Sequence, residues 1–177
     1  MYTQLLHYIC NWFNQSHVPY MVTGSVALNT YALPRSTFDI DIVIEVPLSK
    51  IDAFLQLFQK GFYINEEIAK SELLHKGIGM FNIIDHQSGY KVDFIIKQHS
   101  LYEIVKFNNR KTVIFEQVPI SVCSPEDLVI SKLQWIQELQ SERQMNDIKA
   151  LLQYPNLNKY YILQWIQELQ LQTFGLI

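Results

Sequence analysis

The run DIDIVIEV, residues 39–46, places two aspartates among isoleucines and valines. Aspartate is disfavoured in strands and a buried charge is costly, so an acid pair in a β-branched run requires a physical reason. Alternate residues of a strand share one face and lie about 6.6 Å apart along it. We therefore predict that Asp39 and Asp41 share one face of a strand, while the isoleucines that alternate with them point into a core.

A divalent cation is one reason for the acid pair, because a metal removes the cost of placing two carboxylates together. Oxygen-only ligands suit Mg²⁺, which retains waters and binds substrate phosphates. Asp93, in the run YKVDFII, is a third acid in the same β-branched context. If its strand pairs beside residues 39–46, the three carboxylates converge on a Mg²⁺ site. The alternatives are a water-exposed polar strand face for the pair and a solubilising acid on an edge strand for Asp93.

An anion site is predicted at Gly24 and Ser25, on the element before the acid pair. Glycine lets a backbone approach a ligand closely, and Ser25 is expected to cap a helix whose free N–H groups attract phosphate. We expect that helix to run for two turns over VALNTYAL and to stop before Pro34. The sequence therefore predicts an anion site and a metal site on neighbouring elements.

The composition bounds the class of protein. A chain of 177 residues that is 49% hydrophobic is long enough for about one domain with a sizeable core. The net charge of −3 provides no global basic field for nucleic acid, although a local basic patch is compatible with it. The two cysteines form no disulfide framework, and the five histidines lack zinc-ligand spacing. Without a signal peptide or an apolar run of about 18 residues, we expect a cytoplasmic protein with no membrane partner.

Periodicity predicts an α/β (α+β) fold, a small mixed twisted sheet flanked by helices. Helical spacing covers residues 2–16, and the clearest hairpin joins MFNIIDH to YKVDFIIK through the turn residues QSG. Residues 111–124 are strand-like, with Pro119 marking an edge or a bulge.

The chain changes character at Ser124, where a helix begins with proline in its first position. We therefore predict a core, residues 1–123, and a helical C-terminal extension packed on that core, residues 124–177. The octapeptide LQWIQELQ occurs twice in this extension, which predicts two helices with the same apolar stripe. On that pattern its tryptophans, Trp135 and Trp165, belong to the core.

The segment TGSVALNTYALPRSTFDIDIVI resembles the signature of the nucleotidyltransferase superfamily that includes DNA polymerase beta. That signature is Gly-Ser, a helix, Asp-x-Asp on a strand and a third aspartate on a later strand. The chain is also similar to minimal bacterial proteins of the AbiEii-like type, which carry PRxTxDID, GxKVDF, PEDL…KL and SER…D. The corresponding runs here are PRSTFDID, GYKVDF, PEDLVISKL and SERQMND, so the resemblance covers roughly residues 18–150.

The resemblance implies an enzyme that transfers a nucleoside monophosphate from an NTP to an acceptor hydroxyl. On this interpretation Asp39, Asp41 and Asp93 are catalytic and hold two Mg²⁺ ions. Asp93 would ligate the catalytic metal and help to deprotonate the acceptor. Gly24 and Ser25 would grip the triphosphate.

The resemblance also implies two nucleotide-binding cations, Arg35 and Lys132. For Arg35 a structural salt bridge is an equal alternative, and for Lys132 the alternative is a solvated position on an amphipathic helix. The implied acceptor is tRNA or a protein, as in a toxin with an antitoxin partner, and the alternative is a small molecule, as in antibiotic-modifying enzymes. The rival from another class is a non-catalytic protein that binds a nucleotide or a partner on the same fold.

Overall fold

The computed structural model describes residues 2–32, 34–75 and 79–177, which form one mixed sheet and the helices that pack against it. The helices are α1 (Tyr2–Gln15), α2 (Gly24–Leu28), α3 (Ile51–Gln56, preceded by a 3-10 turn at Leu48–Lys50), α4 (Glu66–His75), α5 (Leu101–Asn108), α6 (Pro125–Glu138), α7 (Glu142–Leu151) and α8 (Lys159–Glu168). The strands are β1 (Tyr20–Thr23), β2 (Asp39–Ile44), β3 (Phe62–Ile64), β4 (Met80–Asp85), β5 (Lys91–Ile96), β6 (Lys111–Phe115) and β7 (Val118–Val122). None of the helices described has the length and apolar character needed to cross a membrane.

The described strands form a seven-stranded sheet in the order β3-β4-β5-β2-β1-β7-β6. Strand β2 pairs in parallel with β5 on one side and antiparallel with β1 on the other. In this register Asp39 lies opposite Lys91. Asp41 lies opposite Asp93 on β5 and opposite Thr23 on β1. The strand of the third aspartate thus pairs beside the acid pair, which was the condition for expecting the three carboxylates to converge.

The face of β2 that points away from the aspartates forms the centre of the core. Ile40, Ile42 and Ile44 are fully buried, as the alternation predicts. Helix α3 packs the ring of Phe54 against this face, with its centroid 5.2 Å from that of Phe94 on β5. The aspartates alternate with these isoleucines along β2, so they lie on the other face of the sheet.

The C-terminal helices begin as predicted and contact the N-terminal part of the chain. Ser124 Oγ caps α6 by accepting a hydrogen bond from the Asp127 backbone N–H at 3.1 Å. The Tyr31 hydroxyl, which follows α2, donates to the Cys123 carbonyl at 2.9 Å, and its ring centroid lies 5.1 Å from that of Tyr154. The division into a core and a helical extension stays a prediction, and the contact of Tyr31 with Tyr154 supports packing of the extension on the core.

Ser25 does not cap a helix, contrary to the sequence prediction. Helix α2 begins two residues earlier than predicted, at Gly24 instead of Val26, because the φ of +61° at this glycine turns the chain directly into the helix. Its N-cap is Thr23, and no side-chain capping bond forms at this described terminus. Ser25 Oγ instead accepts a hydrogen bond from Arg35 at 2.8 Å. The helix is also shorter than two turns, ending at Leu28, and the predicted end at residue 33 lies outside the described residues.

Residues 111–124 form a hairpin, β6 and β7, rather than a single strand-like segment. Glu116 and Gln117 have φ values of 43° and 71°, the conformation of a two-residue hairpin turn. No glycine marks this turn, so the sequence carries little signal for it. Pro119 lies in β7 opposite Ile114 of β6, which is one of the two edge strands of the described sheet. The described pairing of β7 with β1 joins Val122 to Val22 and does not include Pro119, so the prediction of an edge or a bulge at this proline is not contradicted.

Candidate active site

The three predicted aspartates lie side by side on adjacent strands. Asp39 and Asp41 alternate along β2, and Asp93 is the neighbour of Asp41 across the parallel pair. The Asp39 side chain is 56% exposed, whereas Asp93 is only 6% exposed. Asp93 Oδ1 is buried and has no hydrogen-bond partner in the described part of the chain. A buried carboxylate oxygen without a donor is costly, so this atom is a candidate ligand for a cation.

The ammonium of Lys91 lies between two of these carboxylates. Its Nζ atom is 2.8 Å from Asp93 Oδ2 and 3.7 Å from Asp39 Oδ1. Within residues 2–32, 34–75 and 79–177, no three His, Cys, Asp or Glu side chains are grouped so that they could hold a metal ion. The acids are therefore arranged around a lysine, and sharing a divalent ion requires a closer approach of the carboxylates.

The electrostatics of the cluster favour additional positive charge. The pKa of Asp41 is raised to about 6. Burial is the largest cause, and the negative charges of Asp93 and Asp39 also contribute. Lys91 and Lys132 act in the opposite direction without offsetting these effects. A cation near the carboxylates would remove the repulsion that raises this pKa.

Gly24 is required at the junction of β1 and α2 because its backbone touches Asp41. Its φ of +61° lies in the left-handed region, which glycine adopts without strain. A Cβ atom at this position would lie 1.9 Å from Asp41 Oδ2. Only glycine therefore allows the start of α2 to approach the carboxylate this closely.

The two predicted cations meet at Asp147, a carboxylate on α7. Arg35 donates two hydrogen bonds to it, from Nε to Oδ1 at 3.0 Å and from Nη2 to Oδ2 at 2.8 Å. Lys132 Nζ donates to the same Oδ2 at 2.8 Å. Lys132 is only 5% exposed, so the alternative of a solvated lysine is wrong. The structural salt bridge considered for Arg35 is present.

The ion network of Asp147 leaves positive charge available to a ligand. Burial alone would raise the pKa of Asp147, but hydrogen bonds from Arg35 and Lys132 outweigh it and lower the pKa below its ordinary value. One carboxylate thus faces two cations, although burial lowers the pKa of Lys132. Arg35 Nη1 is buried without a hydrogen-bond partner among the residues described. An anion at this position would find both net positive charge and a free donor.

Apart from Asp147, these groups line one cleft of about 580 Å³. Its lining includes the seven residues that were predicted for the site: Gly24, Ser25, Arg35, Asp39, Asp41, Asp93 and Lys132. The fold thus brings together residues that are widely separated in the sequence.

Two further residues of the cleft, Lys91 and Trp135, were not predicted as part of the site. The position of Lys91 two residues before Asp93 is a signal that both share one strand face. Trp135 was predicted to lie in the core but is 64% exposed and lines the cleft. Trp165 has the same place in the repeated octapeptide, and its ring centroid lies 4.8 Å from that of Tyr102. Identical octapeptides do not reveal which helix faces the cleft, so the sequence carries no signal for this difference.

Solved structures of known proteins share this architecture. The antibiotic-resistance factor ANT(2'')-Ia, in complex with adenylyl-2''-tobramycin, matches at a TM-score of 0.67 and 14% identity, over 94% of this chain and 95% of that chain. The lincosamide antibiotic adenylyltransferase LnuA, bound to lincomycin, matches at a TM-score of 0.56 and 17% identity, over 84% of this chain and 94% of that chain. The chain has the nucleotidyltransferase fold.

A third similar structure is a nucleotidyltransferase-like protein from Paracoccidioides brasiliensis, with a TM-score of 0.57 and 16% identity over 93% of this chain and 87% of that chain. No protein-family model and no curated protein sequence matches the chain. At these identities the likeness shows the fold of the nucleotidyltransferase-like domain, and the AbiEii-like subtype stays a prediction.

Proposed function

We propose that this chain is a metal-dependent nucleotidyltransferase, which moves a nucleoside monophosphate from an NTP to an acceptor hydroxyl. The observation that carries the proposal is the buried Oδ1 atom of Asp93, which has no hydrogen-bond partner among the described residues and lies next to Asp41 and Asp39 in a nucleotidyltransferase fold. A structural acid would be expected to have its buried oxygens satisfied by donors. A polar strand face that only contacts water would not bury this third acid.

The donor set supports Mg²⁺ as the cofactor. Carboxylate oxygens are ligands that Mg²⁺ prefers, and the raised pKa of Asp41 indicates that the cluster is short of positive charge. The absence of a Cβ atom at Gly24 leaves room beside Asp41 Oδ2. We assign Asp39, Asp41 and Asp93 as the ligands, in a two-metal site as the resemblance implies. When bound, Mg²⁺ would neutralise these carboxylates and stabilise the charge on the transferring phosphoryl group.

Other groups of the chain bind the nucleotide and move the proton in this proposal. Asp93 helps to deprotonate the acceptor hydroxyl, whose oxygen attacks the α-phosphate of the NTP while pyrophosphate leaves. The Gly24 backbone and the Ser25 hydroxyl hold the triphosphate. Ser25 Oγ accepts a hydrogen bond from Arg35, which leaves its own O–H to donate to a phosphate oxygen. Arg35 and Lys132 neutralise the phosphate charge.

The charge of the cleft supports tRNA or a protein as the acceptor. Five cations and four acids line it: Arg35, Lys91, Lys106, Lys132 and Arg143 against Asp39, Asp41, Asp93 and Glu103. This near balance favours a neutral or anionic acceptor over a polycation, which would need an excess of acids. The toxin-type interpretation, with an antitoxin as partner, is consistent with such an acceptor.

A small hydroxylated molecule is the second candidate acceptor. Two proteins of the same fold act on or hold such compounds, ANT(2'')-Ia with adenylyl-2''-tobramycin and LnuA with lincomycin. Both align with most of this chain, 94% and 84% respectively, so the comparison extends beyond the acid cluster.

Incubation with each α-labelled NTP and Mg²⁺ tests the proposal. Total RNA, total protein and a panel that includes tobramycin and lincomycin serve as acceptors in separate reactions. We expect label in the RNA or protein fraction, and none when Asp41→Asn replaces the parent protein. Label on small molecules alone would identify the second candidate. No label with any NTP would contradict the transferase and favour the non-catalytic nucleotide- or partner-binding protein.

A further inference from the structure

Lys91 is the one cation that directly contacts the acid cluster in the described residues. It is the cross-strand neighbour of Asp39 and lies two residues before Asp93 on β5, so its side chain shares their face. Its Nζ atom lies 2.8 Å from Asp93 Oδ2 and 3.7 Å from Asp39 Oδ1.

We infer that Lys91 is an internal counter-ion that takes the place of a divalent cation in the metal-free protein and competes with that cation for the carboxylates. The inference rests on the proposed metal-dependent function. Three carboxylates without a cation repel one another, and one ammonium offsets part of this repulsion. A divalent ion can share Asp93 with Asp39 only after the ammonium has left them.

The geometry explains why the cluster can be stable without a metal and still bind one. The Lys91 side chain is 39% exposed, so water can solvate the ammonium once it leaves the carboxylates. Asp93 Oδ2 contacts Lys91, whereas Oδ1 has no partner in the part of the chain that the structure describes, so one oxygen is available to an incoming ion. Lys91 would thus set how tightly a metal ion alone is held, without contributing a ligand.

Direct titration with Mn²⁺, in the absence of nucleotide, tests this role. Lys91→Met keeps the length of the side chain and removes its charge, and Lys91→Gln is a second variant with the same expected direction. We expect Mn²⁺ to bind these variants about tenfold more tightly than the parent, which corresponds to about 1.4 kcal/mol. We also expect the metal-free variants to melt about 3 °C lower, because the carboxylates lose their counter-ion.

Lys97→Met is the matched control. Lys97 follows β5 and forms an ion pair of 2.8 Å with Glu45, which does not line the cleft. This variant should bind Mn²⁺ with the affinity of the parent. Equal or weaker Mn²⁺ binding by both Lys91 variants would overturn the inference, whereas failure of the parent and all variants to bind Mn²⁺ would overturn the proposed metal site as well.

Discussion

Asp41 is the residue at which stability and the proposed chemistry oppose each other. Burial, together with the charges of Asp93 and Asp39, raises its pKa to about 6, so the ionised carboxylate destabilises the metal-free fold. A β-branched apolar residue would suit this strand position better. The presence of an acid here therefore supports a role in binding a cation.

Replacing Asp41 by asparagine should abolish transfer and stabilise the metal-free protein. The shape of the side chain barely changes, but a negative ligand is lost, so we expect activity to fall by about 10²-fold or more. The pKa of Asp41 is higher in the folded protein than in the unfolded chain. The stability that protonated Asp41 gives to the folded parent is therefore lost as pH rises from about 4 to about 6. Asp41→Asn should be more stable than the parent by about 1–2 kcal/mol at pH 7.5, and the difference should vanish near pH 4.

Urea unfolding from pH 4 to pH 8, without metal, measures this difference. The other acids titrate in both proteins, so subtraction isolates Asp41. A variant that retains transfer activity within a few-fold of the parent would show that the acid pair is structural. A variant that is less stable than the parent at pH 7.5 would contradict the electrostatic account.

Gly24→Ala should damage the site more than the fold. A Cβ atom at this position would collide with Asp41 Oδ2, so the carboxylate has to move. The left-handed φ adds about 1–2 kcal/mol of strain for any non-glycine residue. We expect a lower melting temperature and a loss of both Mn²⁺ affinity and transfer activity.

Gly61→Ala is the control variant, because it introduces the backbone strain of a positive φ without a collision of the new Cβ atom. Gly61 has a φ of +84°, and nothing lies within 4 Å of a Cβ atom placed there. This control should lose a similar amount of stability, measured by thermal unfolding, with Mn²⁺ affinity unchanged. Equal loss of Mn²⁺ affinity in both variants would show that contact with Asp41 is not the cause.

At the level of elements, predictions succeeded where the signal is local. The alternation of β2 and β5 and the proline-first start of α6 predicted those elements, because each depends on adjacent residues. The predictions were wrong where tertiary contacts decide. Ser25 bonds Arg35 rather than capping α2, and the turn at Glu116 and Gln117 forms without glycine. The exposure of Trp135 depends on which side of α6 faces the cleft.

The acid cluster was predictable because carboxylates in β-branched strands stand out from their neighbours. The ion network was harder to predict, because Arg35 and Asp147 lie 112 residues apart in the sequence and meet only through the packing of α7. Their types and spacing do not reveal that one carboxylate binds both Arg35 and Lys132. The same limit applies to Lys91, whose position between two carboxylates depends on the parallel register of β2 and β5.

Trp135→Ala, on α6, should weaken substrate binding without unfolding the protein. The side chain is exposed and lines the cleft, and stacking of a base on an aromatic ring contributes about 1–3 kcal/mol. We expect KM for the nucleotide or the acceptor to rise about tenfold, with the melting temperature within about 1 °C of the parent. Steady-state kinetics with each substrate varied in turn identifies which one contacts the ring.

Trp165→Ala, on α8, is the control from the second copy of the octapeptide. Its ring packs against Tyr102 and Tyr161, so truncation should cost about 2 kcal/mol of stability and leave KM unchanged. If Trp135→Ala leaves KM unchanged for both substrates, Trp135 is an exposed surface residue with no part in binding.

At the level of the whole molecule, the cleft is lined by residues of the sheet and by residues of the C-terminal helices. Strands β2 and β5 contribute the acids and α2 contributes Gly24, whereas α6 and α7 contribute Lys132 and Asp147. The bidentate pair of Arg35 with Asp147 links the two parts. A ligand that contacts both parts should therefore stabilise the entire chain.

Mg²⁺ together with the preferred NTP should raise the melting temperature. At a nucleotide concentration near 100 times Kd the gain is about 2.7 kcal/mol, or about 5–10 °C for a chain of this size. Differential scanning fluorimetry with each NTP measures this shift and identifies the base preference. The shift should disappear with a chelator, and it should be small in Asp41→Asn. No shift with any NTP at millimolar concentration would favour a protein that does not bind nucleotides.

During synthesis the acid cluster cannot form until β5 has left the ribosome. Asp39 and Asp41 emerge on β2, but their partner strand follows only after α3, β3, α4 and β4. Parallel strands separated in this way pair slowly, because loop closure precedes the gain from contacts. Meanwhile the nascent chain exposes a β-branched run whose free edge could pair with other chains. We expect the two charges in that run to act as gatekeepers, so that the carboxylates that destabilise the metal-free fold also protect the growing chain from aggregation.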